Sequence, residues 1–150
     1  MSRDNSYVKE RIMLERITHS AEETAALGEQ LAEKVKNGDI IAYRGDLGMG
    51  KTVFTSGLAR GLGFAENVSS PTFSLINEYR GGRVNLCHMD AYRLNCMDDL
   101  LDTGFYDYID SGWAAAVEWS ERLTLEADFT VAFERLDDNT RRITIEGRGL

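Results

Sequence analysis

The sequence predicts an α/β domain, a three-layer sandwich in which helices flank a central sheet of mixed parallel and antiparallel strands. A short apolar run, DIIAY, passes directly into a glycine-rich loop and then into a helical segment, which together form a strand, loop and helix unit. Two pairs of extended segments are each joined by a short polar turn, which indicates hairpins and therefore antiparallel pairing. The length of 150 residues is that of one domain with one core.

Composition limits the classes of function that this domain can have. We expect residues 1–150 to form a single domain in which the polar first ten residues, MSRDNSYVKE, fray. The net charge of −8 argues against the broad basic surface that direct nucleic-acid binding needs, so a polyanionic partner is expected to be reached through another protein. Cys87 and Cys96 lack C-x-x-C spacing, no signal peptide is recognisable, and no apolar run approaches the ~20 residues that span a bilayer. We therefore expect a cytoplasmic protein with reduced thiols.

The first half of the chain is predicted to contain two helices with a strand between them. In SAEETAALGEQLAEKVKNGD, Ser20 and Glu23 have the spacing of a capping box, and apolar residues follow at helical spacing up to a stop at Gly38. DIIAY is the buried strand. KTVFTSGLARGLGF is the second helix, which Gly57 weakens and which ends near Gly63.

The second half is predicted to contain two hairpins separated by a helical segment and a buried strand. FSLINEY and RVNLCHMD are extended segments joined by Arg-Gly-Gly. MDDLLDTGFYDYI indicates a short helix and a turn, and WAAAVEW indicates a strand covered on both faces. DFTVAFERL and RRITIEG flank DDNT in the second hairpin.

The most informative functional motif is GDLGMGKT. Gly45, Gly50, Lys51 and Thr52 fill the pattern G-x-x-x-x-G-K-S/T, in which glycines allow backbone amides to turn inward around phosphate oxygens. Lys51 is expected to reach the terminal phosphates and Thr52 to ligate Mg²⁺, and the next helix directs its positive end at the same anion. A chance glycine pattern in a turn is the alternative. The strand before the loop and the helix after it favour a nucleotide site and a P-loop NTPase-like domain. The rest of the predicted cradle is Asp46, Leu47, Gly48 and Met49.

Hydrolysis also requires acidic groups near the metal, and two acids are suitably placed. Asp90 ends the strand VNLCHMD and Glu118 follows the apolar run WAAAV. Because the ends of neighbouring strands in such a sheet meet near the glycine loop, both carboxylates are expected to face the magnesium. Each could instead cap a strand or pair with a surface arginine. We favour Glu118 for the metal, directly or through water, and Asp90 as the second acid, and the division of roles between them stays open.

Thr72 is a third candidate for the catalytic site. It lies in SSPTF, a loop between the second helix and the next strand, where a threonine hydroxyl can sense Mg²⁺ and the γ-phosphate. An ordinary turn threonine beside the only proline is an equally good interpretation.

Other catalytic classes have less support. A GTPase needs Asn-Lys-x-Asp to recognise guanine, and the nearest stretch, NCMD, lacks the lysine. A small-molecule kinase usually adds an arginine-rich lid, whereas the region after Asp90 is acidic and Arg93 is a single possible clamp. His19 and His88 have no partner residues at metal-ligand spacing, so we expect solvent or packing roles for them. The aromatic side chains, Trp119 and Tyr92 among them, are expected to be core or partner-facing anchors rather than a base-stacking platform.

Four blocks of the sequence, taken together, resemble the TsaE family, also called YjeE. They are GDLGMGKT, SPTFSLINEY, HMDAYRL and VEWSERL. Their order and spacing match, and with SAEETAALGEQLA the similarity extends over most of residues 18–147. Two positions depart from the family pattern: Met49 stands where alanine is common, and Ser120 stands where proline often follows Glu-Trp.

The resemblance implies a bacterial ATPase of tRNA threonylcarbamoyladenosine synthesis that uses ATP and Mg²⁺ and releases ADP. It implies that Lys51 and Thr52 bind phosphate and Mg²⁺, that Glu118 completes the metal site, and that Asp90 and Thr72 support hydrolysis.

The resemblance also implies partners and further contacts. The partners are homologues of TsaD and TsaB, where TsaD transfers the threonylcarbamoyl group to adenosine 37 of the tRNA, so this chain would reach tRNA only through the complex. Ala21 at the start of the first helix and an arginine such as Arg141 near the final strand are implied to lie beside the nucleotide. Two other functions remain open: a nucleotide-gated binding module in which hydrolysis only resets the clamp, and a small-molecule kinase.

Overall fold

The computed structural model describes residues 11–45, 50–64 and 76–150, which fold as an α/β unit around one mixed sheet. The strands are β1 (Ile12–Thr18), β2 (Ile40–Arg44), β3 (Ile76–Tyr79), β4 (Leu86–Asp90), β5 (Ala114–Glu118), β6 (Phe129–Arg135) and β7 (Arg141–Gly147). The helices are α1 (Ala21–Ala32), α2 (Lys51–Leu62), α3 (Met97–Asp102) and α4 (Phe105–Asp110), and a 3₁₀ turn covers Ser120–Arg122.

The described strands form a seven-stranded sheet in the order β1-β7-β6-β2-β5-β4-β3. The four inner strands β6, β2, β5 and β4 are parallel to one another, whereas β3 and β7 run antiparallel to them. The outermost strand β1 pairs antiparallel with β7 and so runs in the same direction as the inner strands. The mixed sheet predicted from the sequence is confirmed. Because the inner strands are parallel, their carboxyl ends lie on the same side of the sheet. These ends are Arg44, Asp90, Glu118 and Arg135.

Helices cover both faces of this sheet. On β5, Ala114 and Ala116 belong to an apolar cluster that contains residues of α1 and α2, whereas Ala115 and Val117 belong to a second cluster that contains residues of α3 and α4. Successive residues of a strand point to opposite faces, so the two clusters lie on opposite sides of the sheet. The near-continuous apolar sequence of β5 follows from this double cover.

Glycines set the distance between α1 and α2. A Cβ atom on Gly57 would lie 1.8 Å from the Ala25 carbonyl oxygen, and one on Gly28 would lie 2.2 Å from the Phe54 carbonyl oxygen. Gly57 is therefore present in α2 because the backbone of α1 passes directly over it. This close approach fixes the start of α2 relative to α1.

Four elements differ from the sequence-based prediction. The first helix was expected to continue to a stop at Gly38, whereas α1 ends at Ala32. The sequence analysis did not identify β1, an edge strand that pairs with β7 and exposes most of its residues. The segment predicted as one short helix and a turn forms two six-residue helices, α3 and α4, because Gly104 adopts a φ of 80° between them. The strand predicted to begin near Arg83 begins at Leu86. In the described part of the chain, no helix is both long enough and apolar enough to cross a membrane.

Candidate functional site

The candidate site lies at the carboxyl edge of the parallel strands, and Lys51 is its most informative residue. Lys51 is the first residue of α2, directly after the glycine loop that follows β2. Only 5% of this residue is exposed, and within the described ranges its Nζ atom has no hydrogen-bond partner. The ammonium lies 4.4 Å from the centroid of the Trp119 ring. A buried cation without a hydrogen-bonded partner is costly, and an anion at this position would supply the missing acceptors.

Glycine is required at both described ends of the loop. Gly45 has a φ of 125°, and a Cβ atom on it would lie 2.6 Å from the Phe133 carbonyl oxygen. Gly50 has a φ of 96° and forms the N-cap of α2 without a side chain. Gly50 therefore offers no side-chain acceptor to the amides of the first turn of α2. The predicted cradle residues Asp46, Leu47, Gly48 and Met49 lie outside the described residues, as does Thr72.

The two predicted acids are neighbours in the sheet. Asp90 pairs with Glu118 in the register of β4 and β5, so both side chains start on the same face. Ala114 and Ala116, which share this face, contact the cluster around α2, so the acids are on the side of the sheet that carries Lys51. The Asp90 carboxylate accepts a hydrogen bond from the Tyr92 amide at 2.9 Å. Asp90 is half-buried, whereas Glu118 is buried with 8% of the residue exposed.

His88 has a role that the sequence analysis did not predict. It was expected to have a solvent or packing role, but its Nε2 atom lies 2.5 Å from Oε2 of Glu118. The imidazole is fully buried. Residues 88 and 90 of a strand point to the same face, so His88 faces the acids for the same reason that Asp90 does. The sequence HMD therefore predicts that His88 and Asp90 share a face of the sheet once this segment is assigned as a strand.

Trp119 and Ser120 form the turn that follows Glu118 at the end of β5. Trp119 has a φ of 61°, the only positive φ among the described non-glycine residues. This conformation turns the chain at the end of β5, where the ring of Trp119 contacts both the Lys51 ammonium and the half-exposed ring of Tyr92. Ser120 donates a hydrogen bond to the Tyr43 carbonyl oxygen at 3.1 Å, so its hydroxyl ties this turn to β2.

Buried hydrogen bonds connect the start of α2 to β2. The buried Thr55 hydroxyl lies 2.7 Å from the Tyr43 hydroxyl and 2.8 Å from the Lys51 carbonyl oxygen. Burial raises the pKa of the Tyr43 phenol, which therefore stays protonated. These hydrogen bonds join β2 to the first turn of α2.

Ala21 and Arg141 lie together beside the glycine loop. They line a cleft of about 180 Å³ between the start of α1, the start of α2 and the β6–β7 turn. The Arg141 guanidinium donates to the carbonyl oxygens of Asp137 and Thr140 at 2.9 and 3.1 Å, which fixes it against that turn. The residues that line the cleft are Ser20, Ala21, Thr24, Gly50, Val53, Asp138, Asn139 and Arg141.

The described residues therefore fit a nucleotide with its phosphates at the start of α2. Lys51 supplies a buried cation at the start of α2, and a cleft lies beside Gly50. No group of three or more His, Cys, Asp or Glu side chains capable of binding a metal occurs in the described ranges. Mg²⁺ at phosphate sites is usually held by one or two carboxylates together with phosphate and water. Glu118 and Asp90, which pair at the ends of β5 and β4, match that number, and Thr52 follows Lys51 in the first turn of α2.

Comparison with known proteins identifies the family. The family described as threonylcarbamoyl adenosine biosynthesis protein TsaE matches residues 18–143. The chain belongs to the TsaE family. The match includes every candidate residue named above, from Ala21 to Arg141.

Curated relatives in the TsaE family resemble the chain over most of its length. A tRNA threonylcarbamoyladenosine biosynthesis protein TsaE from Treponema pallidum is 36% identical over 132 residues, which are 86% of this chain and 97% of the relative. The protein of the same name from Bacillus subtilis is 40% identical over 136 residues, which are 88% of this chain and 84% of the relative. The crystal structure of Bacillus subtilis YdiB has a TM-score of 0.72 and 34% identity, and the match covers 93% of this chain and 88% of that chain.

Proposed function

We propose that this protein is a Mg²⁺-dependent ATPase of tRNA threonylcarbamoyladenosine biosynthesis that acts on homologues of TsaD and TsaB and couples ATP binding and hydrolysis to the turnover of that pair. The observation that carries the proposal is the buried Lys51 ammonium, which has no described hydrogen-bond partner and begins the helix that follows a glycine loop. Membership in the TsaE family and the names of its curated relatives support the pathway.

Each candidate residue has a specific role in this proposal. Lys51 binds the terminal phosphates of ATP, and Thr52 and Glu118 bind Mg²⁺, directly or through water. When bound, the metal supplies positive charge that stabilises the terminal phosphate in the transition state. Asp90 is the second acid of the site and Thr72 supports hydrolysis. We assign the metal to Glu118 and the second acidic role to Asp90; this assignment is supported by the deeper burial of Glu118 and by the greater exposure of Asp90 to solvent.

The remaining predicted contacts orient the nucleotide. The glycine motif of residues 45–50 binds the phosphates in this proposal, and the rest of the nucleotide occupies the cleft next to Gly50 that Ala21 and Arg141 line. In this proposal the fold is a small P-loop NTPase-like domain. The partner proteins, rather than this chain, bind and modify the tRNA substrate. Its net charge of −8 fits a protein that contacts its protein partners in the cytoplasm and reaches tRNA only through them.

Partner-dependent ATPase measurements test this function. The protein should co-purify with TsaD and TsaB homologues and hydrolyse ATP slowly alone and faster in the complex. Lys51→Ala should abolish hydrolysis, because it removes the buried cation, whereas Lys34→Ala, at an exposed lysine of the segment after α1, should not. Glu118→Gln should lower turnover more than ADP binding, because the metal contact matters most in the transition state. An absence of hydrolysis above background with both partners present would exclude the proposal.

A further inference from the structure

The buried contact between His88 and Glu118 indicates that His88 affects the metal site through the orientation of the Glu118 carboxylate. This inference rests on the proposed function, because it concerns how the Glu118 carboxylate is presented to Mg²⁺. His88 is fully buried, the side chain of Glu118 is 10% exposed, and their Nε2 and Oε2 atoms are 2.5 Å apart. In the proposed function Glu118 binds Mg²⁺ as a carboxylate, which only accepts hydrogen bonds, so Nε2 of His88 is the donor in this inference.

The surroundings of His88 indicate that this hydrogen bond is the reason for a polar residue at position 88. His88 is fully buried, and Cys87 and Met89, which flank it in β4 and point to the opposite face of the sheet, are fully buried and apolar. Its Nδ1 atom is buried and has no hydrogen-bond partner in the described ranges. Leaving Nδ1 unpaired costs free energy that an apolar side chain would avoid, so packing alone does not account for the imidazole.

The contact also constrains Glu118 in a specific way. It occupies Oε2, whereas no described residue hydrogen-bonds Oε1. Ala116 is the residue paired with His88 across the strands, and its small side chain leaves space above β5 for the ring that reaches Glu118. A carboxylate with one oxygen fixed inside the protein presents the other in a single orientation.

We propose that His88 is a positioning residue that holds Oε2 of Glu118 so that Oε1 is directed at the metal or its bound water. His88 itself touches neither nucleotide nor metal. Loss of its donor allows Glu118 to rotate, which weakens the metal site while the phosphate contacts of Lys51 are kept.

Metal affinity in the ADP complex is the first test, because it does not depend on turnover. Mn²⁺ binding in the presence of ADP would be measured by electron paramagnetic resonance for His88→Leu, His88→Gln and Cys87→Ala. His88→Leu should weaken Mn²⁺ binding by about 10- to 100-fold with ADP affinity nearly unchanged. His88→Gln, which keeps a donor near Nε2, should restore most of the affinity. Cys87→Ala alters the same strand on its other face and should change stability alone.

A double-mutant cycle separates positioning from a structural role. In a Glu118→Gln background, His88→Leu should change Mn²⁺ affinity by less than about 3-fold, because His88 acts only through the carboxylate. Equal effects of His88→Leu in the two backgrounds, or failure of His88→Gln to restore affinity in a folded variant, would overturn the proposal.

Proton magnetic resonance of the free protein distinguishes this inference from the proposed function. The His88 Nε2 proton should give a resonance at low field that is lost in His88→Gln and shifted in Glu118→Gln. Its absence in the wild-type protein would refute the contact itself, whatever the ATPase assay shows. Its presence in a protein without ATPase activity would leave the contact in place and refute the function.

Discussion

Lys51 combines burial with a positive charge, and none of the described residues accepts a hydrogen bond from its ammonium. Its described contact is the Trp119 ring at 4.4 Å, and a cation above a ring contributes about 0.5–2 kcal/mol. This is less than the cost of burying an ammonium without hydrogen-bonded acceptors, which is several kcal/mol. The free protein is therefore less stable than the same fold with an apolar side chain at position 51.

Lys51→Met should accordingly stabilise the free protein while it abolishes nucleotide binding. We expect the free energy of unfolding to rise by about 1 kcal/mol, which is about 2–4 °C in Tm for a domain of this size. Mg²⁺ and ADP at 100 times Kd should stabilise the wild type by about 2.7 kcal/mol and the variant by far less. Thermal unfolding with and without nucleotide measures both effects. Lys34→Met, at an exposed lysine, is the control and should change neither. A variant less stable than wild type in the absence of nucleotide would contradict this account of Lys51.

At the residue scale, the sequence was informative wherever a short motif fixes a backbone position. Gly45, Gly50 and Lys51 occur in one contiguous pattern, so their adjacency needed no tertiary information. Asp90 and Glu118 could be placed because strand ends of a parallel sheet meet. The contact of His88 with Glu118 depends on which side of β4 faces α2, and that is decided by the packing of the whole sheet. The spacing in HMD places His88 on the same face as Asp90, but it does not identify Glu118 as the hydrogen-bond partner.

At the element scale, the predictable segments are those whose burial produces a recognisable apolar sequence pattern, either a continuous run or a helical period. β5 is covered on both faces and α1 on one, and both are clear in the sequence. β1 is missing from the prediction because it is an edge strand with most of its side chains exposed, so the sequence IMLERIT lacks regular alternation. The carboxyl half of the region between β4 and β5 forms α4 because Gly104 restarts the helix, which periodicity does not reveal.

The packing of α1 on α2 gives a prediction at this scale. Gly57→Ala adds a Cβ atom that would lie 1.8 Å from the Ala25 carbonyl oxygen, a backbone atom that moves only with α1. The gain in helix propensity is about 1 kcal/mol, and the expected net effect is a destabilisation of about 1–3 kcal/mol because the two helices must separate. Chemical denaturation measures this difference. Ser56→Ala gives a smaller gain in helix propensity, at most about 0.7 kcal/mol, without the clash and should be neutral or stabilising. Equal stabilities of the two variants would show that α1 does not constrain Gly57.

At the scale of the whole molecule, the sheet topology places the site residues on one side of the sheet, at the carboxyl ends of the inner strands. β1 and the four inner strands all end there, since Thr18 pairs with Arg141 and Arg141 pairs with Arg135. The start of α1, the start of α2 and the β6–β7 turn therefore surround one cleft, although their residues are far apart in the chain. A motif search could not place Ala21 next to Arg141, because their proximity comes from the edge strand β1, and only the family resemblance indicated it.

The buried ionisable groups of the core predict how stability depends on alkaline pH. Burial raises the pKa of the Cys87 thiol from its ordinary value of 9.0 to about 12, and burial raises the pKa of Tyr43 above its ordinary value of 10.0. Both groups stay neutral in the folded protein while they ionise in the unfolded chain. Their contribution to stability is therefore fully present below pH 9 and is lost as the pH rises from 9 towards 12.

This loss can be measured and assigned to one thiol. The free energy of unfolding should fall with pH above 9, by at most about 1.4 kcal/mol per pH unit for each group. Cys87→Ala removes one of the two groups, so its stability should fall less steeply between pH 9 and 10, whatever its stability at pH 7. Cys96→Ala, at the exposed thiol, should keep the wild-type slope. Urea unfolding curves at closely spaced pH values give these slopes. If Cys87→Ala lost stability as steeply as the wild type, the thiol would not be held neutral by the core, and the packing of β4 against α3 and α4 would have to be looser than the structure describes.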